Sequence, residues 1–534
     1  MSKTIKVTVV TDNGKQNTEF EAGREDPVIV THDSSVTLMS TLLQNHFISG
    51  SFCGGRGDCG RCRVQFLKGA VMPTAIERSV MEPEELRQGY RLACLTRPKD
   101  NCVIKLALTD APQVAIVSEM IDVTESSDYI SQQKKEPEYR KTDVTEPISS
   151  GRELIIAVDL GTTTIAMQLM ELETGKVMDT YCEMNPQRCY GADVLSRIKA
   201  SCEGCRDELQ RLVTEILVRG AARFEESALK RQAVIRGMCI AGNTTMEHLL
   251  MGYDVSALGC SPFVPVENGL QEYKHPAWDF KAWLAPGISA FVGGDIVAGL
   301  YALHMLSCFE ENQAQSGQVK LLIDLGTNGE MAITDGKRMI VTATAAGPAF
   351  EGGAGAGIIG SDMIACTAAL LQKGVLDETG LLAEPYFTDG VIAGSPAVRL
   401  CSKDIRDLQM AKAAVRAGVE ILWDKMGKPE IGCVYLAGGF GYYLDVEAAF
   451  RTGLLPEQMR GRVQAAGNTS LAGAFRMGRD LYRNRIDGQR LDQCLSSIEN
   501  INLAKEEQFE ALYMKYINFP QSFSKPPYDG VWHK

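Results

Sequence analysis

The sequence predicts a small α+β domain followed by a larger α/β domain built on a duplicated strand-turn-strand unit. Three observations carry that expectation: a cysteine-rich loop between alternating strands near the start, a polar stretch without apolar periodicity, and a strand ending in Asp-Leu-Gly-Thr that occurs twice in the remainder. At 534 residues the chain is too long for one compact core. Its 45% hydrophobic and 23% charged composition is that of an ordinary globular protein, without an apolar run of about eighteen or more residues, so no membrane span is expected. The start, MSKTIKVTVVTDNG, alternates like a strand and turns at Asn-Gly, unlike the basic-then-apolar order of a signal peptide, which implies a cytoplasmic location. A net charge of -12 with no basic stripe argues against a nucleic-acid partner.

The first domain is read from its cysteines. Of the 16, most, such as Cys239, Cys260, Cys308, Cys366 and Cys433, stand singly among apolar residues, where Cys is usually a small buried hydrophobe. Residues 51–66 differ: SFCGGRGDCGRCRVQF spaces Cys53, Cys59 and Cys62 as C-x5-C-x2-C, and Cys94 follows in GYRLACLT. The spacing is one residue longer than the plant-type C-x4-C-x2-C run, and a distant fourth Cys on a returning strand fits a 2Fe-2S cluster. Gly54, Gly55, Gly57 and Gly60 would let the loop backbone approach an inorganic core and aim N–H groups at its sulfurs. A zinc knuckle also uses four cysteines, but favours two C-x2-C or C-x4-C pairs. Strands are expected at residues 3–10 and 27–31, and a helix near 40–46. On these features residues 1–112 resemble an adrenodoxin-type β-grasp ferredoxin domain. That resemblance implies that Cys53 and Cys59 share one iron, and Cys62 and Cys94 the other.

Residues 113–151 are read as a flexible linker, most clearly in TESSDYISQQKKEPEYRKTDVTEPISSG. Treated as a flexible coil, its last 28 or so residues would span roughly 30 Å, enough for a small domain to visit more than one docking site.

The larger domain is read from its repeat. An apolar strand at 154–158 runs into Asp159-Leu160-Gly161-Thr162-Thr163-Thr164, and LLIDLGTNGEMAI at 321–333 repeats the setting with Asp324, Gly326, Thr327, Asn328, Gly329 and Glu330. Glycines and small hydroxyl residues at such a turn let backbone N–H groups and hydroxyls grip phosphate oxygens, while an Asp at the strand end can hold Mg2+, often through water. A third element, VYLAGGFGYY at 434–443, breaks at Gly438, Gly439 and Phe440, where a flat adenine or ribose could lie on the backbone. Between the turns, CIAGNTTMEHL (239–249) offers Asn243 and Thr244 as cleft residues or as a plain helix start. FVGGDIVAGL (291–300) reads as a strand end, Gly-Gly-Asp and a helix, with Asp295 a catalytic candidate or only the N-cap of a helix over 296–305.

These motifs, in this order, resemble the acetate and sugar kinase, heat-shock chaperone and actin superfamily over residues 153–485. The resemblance implies an α/β duplicated ribonuclease-H-like (actin-like) ATPase domain, with a first lobe over about 152–310, a second over 318–485, and a C-terminal helical tail, 486–534, packed on them. It implies ATP with Mg2+ at Asp159 and Asp324, and Asp295 orienting the attacking water.

A 2Fe-2S ferredoxin domain joined to this fold is similar to the reductive activators of corrinoid-dependent proteins. Supporting stretches are 347–352, the helix 404–419, AGNTSLAGA at 466–474 and Asn518-Phe519-Pro520. The resemblance implies ATP-dependent, one-electron reduction of inactive Co(II) to Co(I) in a corrinoid protein of a methyltransferase system, an external low-potential electron donor and a homodimer. Two departures are expected: the linker leaves no room for the extra middle domain of some relatives, and residues 353–357 are unusually bare. Two other readings are a small-molecule kinase and a nucleotide-sensing electron carrier that docks without hydrolysing ATP. Cys202-x2-Cys205 lies in a polar, helix-like stretch and is read as incidental.

Overall fold

The computed structural model describes residues 4–10, 28–34, 36–44, 62–69, 71–81, 83–106, 151–191, 193–306, 318–326, 328–347, 350, 360–393, 398–438 and 444–521. Residues 113–150 of the expected linker and residues 353–357 lie outside them.

In the amino-terminal part, β1 (Thr4–Val10), β2 (Val28–Asp33), β3 (Arg63–Lys68), β4 (Tyr90–Leu92) and β5 (Cys102–Leu106) form one sheet in the order β2-β1-β5-β3-β4. Strand β1 alternates as its sequence demands, burying Ile5, Val7 and Val9. It pairs antiparallel with β2 and parallel with β5, and helix α1 (Leu38–Gln44) lays Leu38, Met39 and Leu42 on the same core, a β-grasp arrangement. Helix α2 (Ala75–Val80) starts at a capping box between Thr74 and Glu77. The Glu77 side chain is buried and accepts a hydrogen bond from Leu92 N–H at 2.7 Å, fixing α2 to the end of β4.

The rest is built from two sheets of one topology. In the first, β6 (Glu153–Leu160), β7 (Thr164–Glu171) and β8 (Val177–Met184) form an antiparallel meander, and β9 (Val234–Gly242) joins β6 in parallel, followed by β10 (Gln271–Tyr273) and β11 (Lys281–Leu284) in the order β10-β11-β9-β6-β7-β8. In the second, β12 (Val319–Leu325), β13 (Asn328–Thr334) and β14 (Met339–Ala345) repeat the meander. The strands β15 (Val391–Ala393) and β16 (Val398–Leu400) form a separate hairpin, while β17 (Ile431–Ala437) and β18 (Val463–Gly467) extend the second sheet in parallel. Both β6 and β12 sit in mid-sheet with both faces covered, which is why each reads as a nearly continuous apolar run.

Helix α3 (Arg206–Lys230) covers the outer face of the first sheet. After β9 comes α4 (Thr244–Met251), and helix α5 (Gly294–Ala302) precedes β12. Helix α6 (Ser402–Lys425) covers the outer face of the second sheet. Between the sheets lie α5 and α7 (Thr469–Tyr482), in one core with Ile155, Ala157 and Cys239 of the first sheet and Leu322, Cys433 and Tyr435 of the second. These helices cross at near backbone contact: a Cβ at Gly473 would collide with the Ala298 carbonyl, and one at Gly299 would come within 2.8 Å of the Thr469 hydroxyl.

Several details differ from expectation. Gly293, not Asp295, is the N-cap of α5, and Asp295 sits in its first turn, while residues 291–292 are bends beyond β11 rather than a strand end. Beyond residue 486 the chain forms α8 (Gly488–Ser496), then β19 (Glu499–Ile501), then α9 (Phe509–Ile517). Strand β19 adds a parallel edge to β14, so the tail is not purely helical: Ile501 inserts into the core of the second sheet. The buried Lys412 of α6 donates from Nζ to the carbonyls of Tyr516 (2.5 Å) and Asn518 (2.9 Å), pinning the end of α9. Cys202 and Cys205 lie in an irregular helical turn entering α3, with Gly204 at φ 100°.

Replacing Gly473 by valine should separate α5 from α7, because no side-chain rotamer removes a Cβ from a carbonyl. A loss of about 3 kcal/mol or more is expected in urea denaturation, beyond the ordinary range for a single substitution.

Candidate functional site

Antiparallel pairing of β3 with β4 sets Arg63 opposite Leu92, which brings together the residue before β3, Cys62, and the turn after β4 that carries Cys94. The Cys94 N–H donates to Cys62 Sγ at 3.5 Å, and the Ala93 N–H to the Cys62 carbonyl at 2.8 Å. Helix α1 braces the turn from the other side: Leu38 N–H donates to the Thr96 carbonyl and Met39 N–H to that of Ala93. Cys94 is buried and Cys62 half-buried. Cys53 and Cys59 lie outside the described residues. A thiolate bound to iron keeps negative charge on sulfur, and a rigid backbone N–H aimed at it stabilises that charge. The residues present therefore fit the 2Fe-2S cluster their spacing indicates. Cys102, Cys182 and Cys189 behave differently: burial pushes their thiols up to about 11, as for small hydrophobes.

The nucleotide half starts at matching strand ends, Asp159 on β6 and Asp324 on β12. The first turn is tight, since a Cβ at Gly161 would strike the Thr164 carbonyl, and the buried Thr164 hydroxyl has no hydrogen-bond partner among the described residues. Asn243 starts a helix and also reaches the first turn. Its Oδ1 caps α4 by accepting from Met246 N–H at 3.0 Å, while its Nδ2 donates to the Thr162 hydroxyl at 2.9 Å. In the second turn, Gly326 N–H donates to the Asn328 carbonyl at 2.9 Å; Thr327 lies outside the described residues. Gly438 follows β17 at φ 87°, and a Cβ there would lie 2.7 Å from Asp324 Oδ1, so the third motif abuts the second. Gly439 and Phe440 lie outside the described residues.

Two of the expected residues also have neighbours outside the turns. The buried Thr244 hydroxyl donates to the Ser289 carbonyl at 2.6 Å, which holds the loop before α5. Gly329 faces the core, where a Cβ would come within 2.9 Å of the Val415 side chain.

Five carboxyl groups interact here. Asp159 accepts from Asn468 Nδ2 at 2.7 Å and Ser470 Oγ at 3.1 Å; burial raises its carboxyl, and these two bonds pull it back. Asp295 is pushed up to about 7, chiefly by burial and further by the Asp159 charge, against a 2.8 Å bond from Ile296 N–H. Burial, then Asp295 and Asp159, pushes Asp324 up to about 8. Glu330 lies well above the usual range through burial, then Asp295 and Asp324, and Glu247 through burial and Asp295, although Gly242 N–H donates to it at 3.0 Å. Asp295 is thus the charge felt by three of the others. Asp159, Asp295 and Asp324 each keep part of their surface accessible, whereas Glu247 and Glu330 are buried.

Among the described residues no three such groups converge into an all-protein metal cage. Mg2+ does not need one: it binds through one or two carboxylates, waters and substrate phosphates. Such a cation would relieve the mutual repulsion, so the acid set fits Mg2+ carried by a nucleotide. Glu247, Asn468 and Ser470 escaped the sequence reading. The stretch 466–474 signals Asn468 as a helix cap, but nothing in the sequence indicates that it reaches a strand end 309 positions away.

Fold and site together define a ferredoxin-type domain joined to a two-lobed nucleotide-binding domain. Family models agree: a 2Fe-2S iron-sulfur cluster binding domain matches residues 21–99, the RACo middle region 154–307, and the C-terminal domain of RACo, the ASKHA domain, 318–356 and 354–527. The chain belongs to the RACo family. The match to the RACo middle region falls on the first sheet and its helices, which the sequence reading assigned to the first lobe. The chain is 26% identical to the corrinoid activation enzyme RamQ of Eubacterium limosum, over 68% of this chain and 70% of that protein. It is 23% identical to the [Co(II) methylated amine-specific corrinoid protein] reductase of Methanosarcina barkeri, over 68% of this chain and 76% of that one. The solved structure of a reductive activator for corrinoid, iron-sulfur protein shares the fold, with a TM-score of 0.59 and 22% identity over 97% of this chain and 98% of that one.

Two outcomes are expected. Cys94→Ser should lose the visible absorption of the iron-sulfur cluster, measured on anaerobically purified protein, while Cys102→Ser should keep it. The second concerns pH. Carboxyls raised in the folded state hold protons that the unfolded chain has released, so their contribution to stability is complete below about pH 4 and is lost as pH rises through about 7 to 8. The thermal midpoint of the nucleotide-free protein should therefore fall between about pH 5 and 8, and Asp324→Asn should flatten that decline.

Proposed function

We propose that this chain reactivates a corrinoid protein by ATP-dependent, one-electron reduction of its cobalt from Co(II) to Co(I). One observation carries the reading: the Cys62–Cys94 pair and the acidic nucleotide site occur in one chain that matches both RACo models and is similar to proteins named for corrinoid activation and Co(II) corrinoid reduction. A 2Fe-2S cluster held by Cys53, Cys59, Cys62 and Cys94 would supply single electrons near about -400 mV. Reducing Co(II) in such proteins needs a lower potential, and each ~100 mV uphill costs about 2.3 kcal/mol per electron.

The nucleotide site offers a means of driving that step. Asp159 and Asp324 are assigned to the Mg2+ of the nucleotide, Asp295 to the attacking water, and the residues at 161–164, 326–330 and 438–440 to phosphates and adenosine. Closure around Mg-ATP would favour the docked state of the corrinoid protein to the extent that the nucleotide binds the closed form more tightly. No phosphoryl group passes to a substrate. The M. barkeri relative, a reductase of a methylated amine-specific corrinoid protein, supports a corrinoid partner, for which we propose a methyltransferase system as the setting. An external low-potential donor would reload the ferredoxin domain. A homodimer and a cytoplasmic location complete the reading.

The test is to mix the purified chain with a Co(II) corrinoid protein and a strong reductant, and to follow the cobalt spectrum with and without ATP. Co(I) should accumulate only with ATP, and equal accumulation without it would refute the driving role. Asp295→Asn should slow ATP turnover by about 100-fold or more, the scale of a lost general base, with the cluster absorption intact.

A further inference from the structure

We infer that Asn185 and Arg197 are positioning residues that set the first phosphate turn for anion binding by holding two consecutive carbonyls from behind. The inference rests on the nucleotide reading above. Asn185 Nδ2 donates to the Gly161 carbonyl at 2.9 Å, and Arg197 Nη2 donates to the carbonyl of Thr162. The β7–β8 ladder then continues one step, with Asn185 N–H donating to the Thr163 carbonyl at 2.9 Å. A trans peptide is planar, with its C=O and N–H on opposite sides. Drawing the carbonyls of Gly161 and Thr162 toward Asn185 and Arg197 therefore turns the N–H groups of Thr162 and Thr163 the other way. Successive N–H groups aimed from one turn are the donor set that grips phosphate oxygens.

Both side chains are fully buried, and each is itself fixed. Asn185 Oδ1 accepts from Gln187 N–H at 3.0 Å, capping the short helix Pro186–Cys189. Gln187 donates from Nε2 to the Leu209 carbonyl of α3 at 2.8 Å and accepts from Arg197 Nη1 at 3.2 Å, while Arg197 Nε donates to the Gly191 carbonyl at 3.2 Å. The Met246 sulfur touches both side chains, and Met246 N–H is the group capped by Asn243, which also holds the Thr162 hydroxyl. Turn, helix start and buried pair thus form one rigid assembly. A guanidinium directly behind the turn also lowers the cost of bringing a triphosphate beside Asp159 and Asp295.

The test uses calorimetric titration of the full chain with Mg-ATP, Mg-ADP and AMP. Asn185→Ser retains a helix-capping oxygen but cannot reach Gly161; Arg197→Lys retains the charge but not the forked donors. Each should weaken Mg-ATP and Mg-ADP about tenfold or more, the scale of one or two lost hydrogen bonds, while AMP changes several-fold less. The thermal midpoint should move by only a few degrees. An unchanged Mg-ATP affinity in a folded variant, or equal weakening of all three nucleotides, would overturn the positioning role. Should Arg197→Lys fail to fold, Asn185→Ser decides alone. Absence of Mg-ATP binding by the unsubstituted chain would overturn the nucleotide reading, and this role with it.

Discussion

The close crossing of α5 and α7 between the two sheets is the constraint on which the rest of the nucleotide site depends. Gly473 lets one helix lie against the backbone of the other, and Gly299 leaves room for Thr469. Because the crossing is fixed, the first turns of both helices arrive at the strand ends of β6 and β12. Asp295 enters from α5, and Asn468 and Ser470 enter from α7 to grip Asp159. The amino ends of both helices carry partial positive charge, which partly offsets the acids gathered there.

What remains is an excess of buried negative charge. Burial raises these carboxyls, and each raises its neighbours further, so the protein without nucleotide holds them partly as neutral acids. A divalent cation inverts that logic, because it favours the ionised form of the groups that repel one another. Nucleotide binding, the charge state of the strand ends and the closeness of the two sheets are therefore linked by one electrostatic balance. This is a physical basis for coupling ATP to a change of shape, without chemistry on the corrinoid itself.

The ferredoxin part solves a different problem with similar means. A metal-bound thiolate needs donors that do not move, and the β3–β4 register, the Leu92–Thr96 turn, α1 and the buried Glu77 together immobilise the backbone at Cys62 and Cys94. As with the Asn185–Arg197 support of the first phosphate turn, the groups that touch the ligand are held by a second set that never meets it.

Much of this was legible in the sequence, for identifiable reasons. Cysteine spacing, the repeated Asp-Leu-Gly-Thr and the glycine breaks are local signals, because metal ligation and tight turns demand particular residue types at short range. They were enough to indicate both domains, the duplicated fold and most of the strand-end acids. Local patterns do not show distant partners: the Thr244 hydroxyl meets the Ser289 carbonyl, Gly329 packs beside Val415, and the tail contributes an edge strand to β14, more than 150 positions earlier. Glu247, Asn185 and Arg197 carry no local signature, and that of Asn468 shows only a helix cap. Their roles follow from side-chain contacts across tens to hundreds of positions, and only the packing of α4, α5 and α7 around the two sheets determines which strand end, turn or carbonyl each one meets.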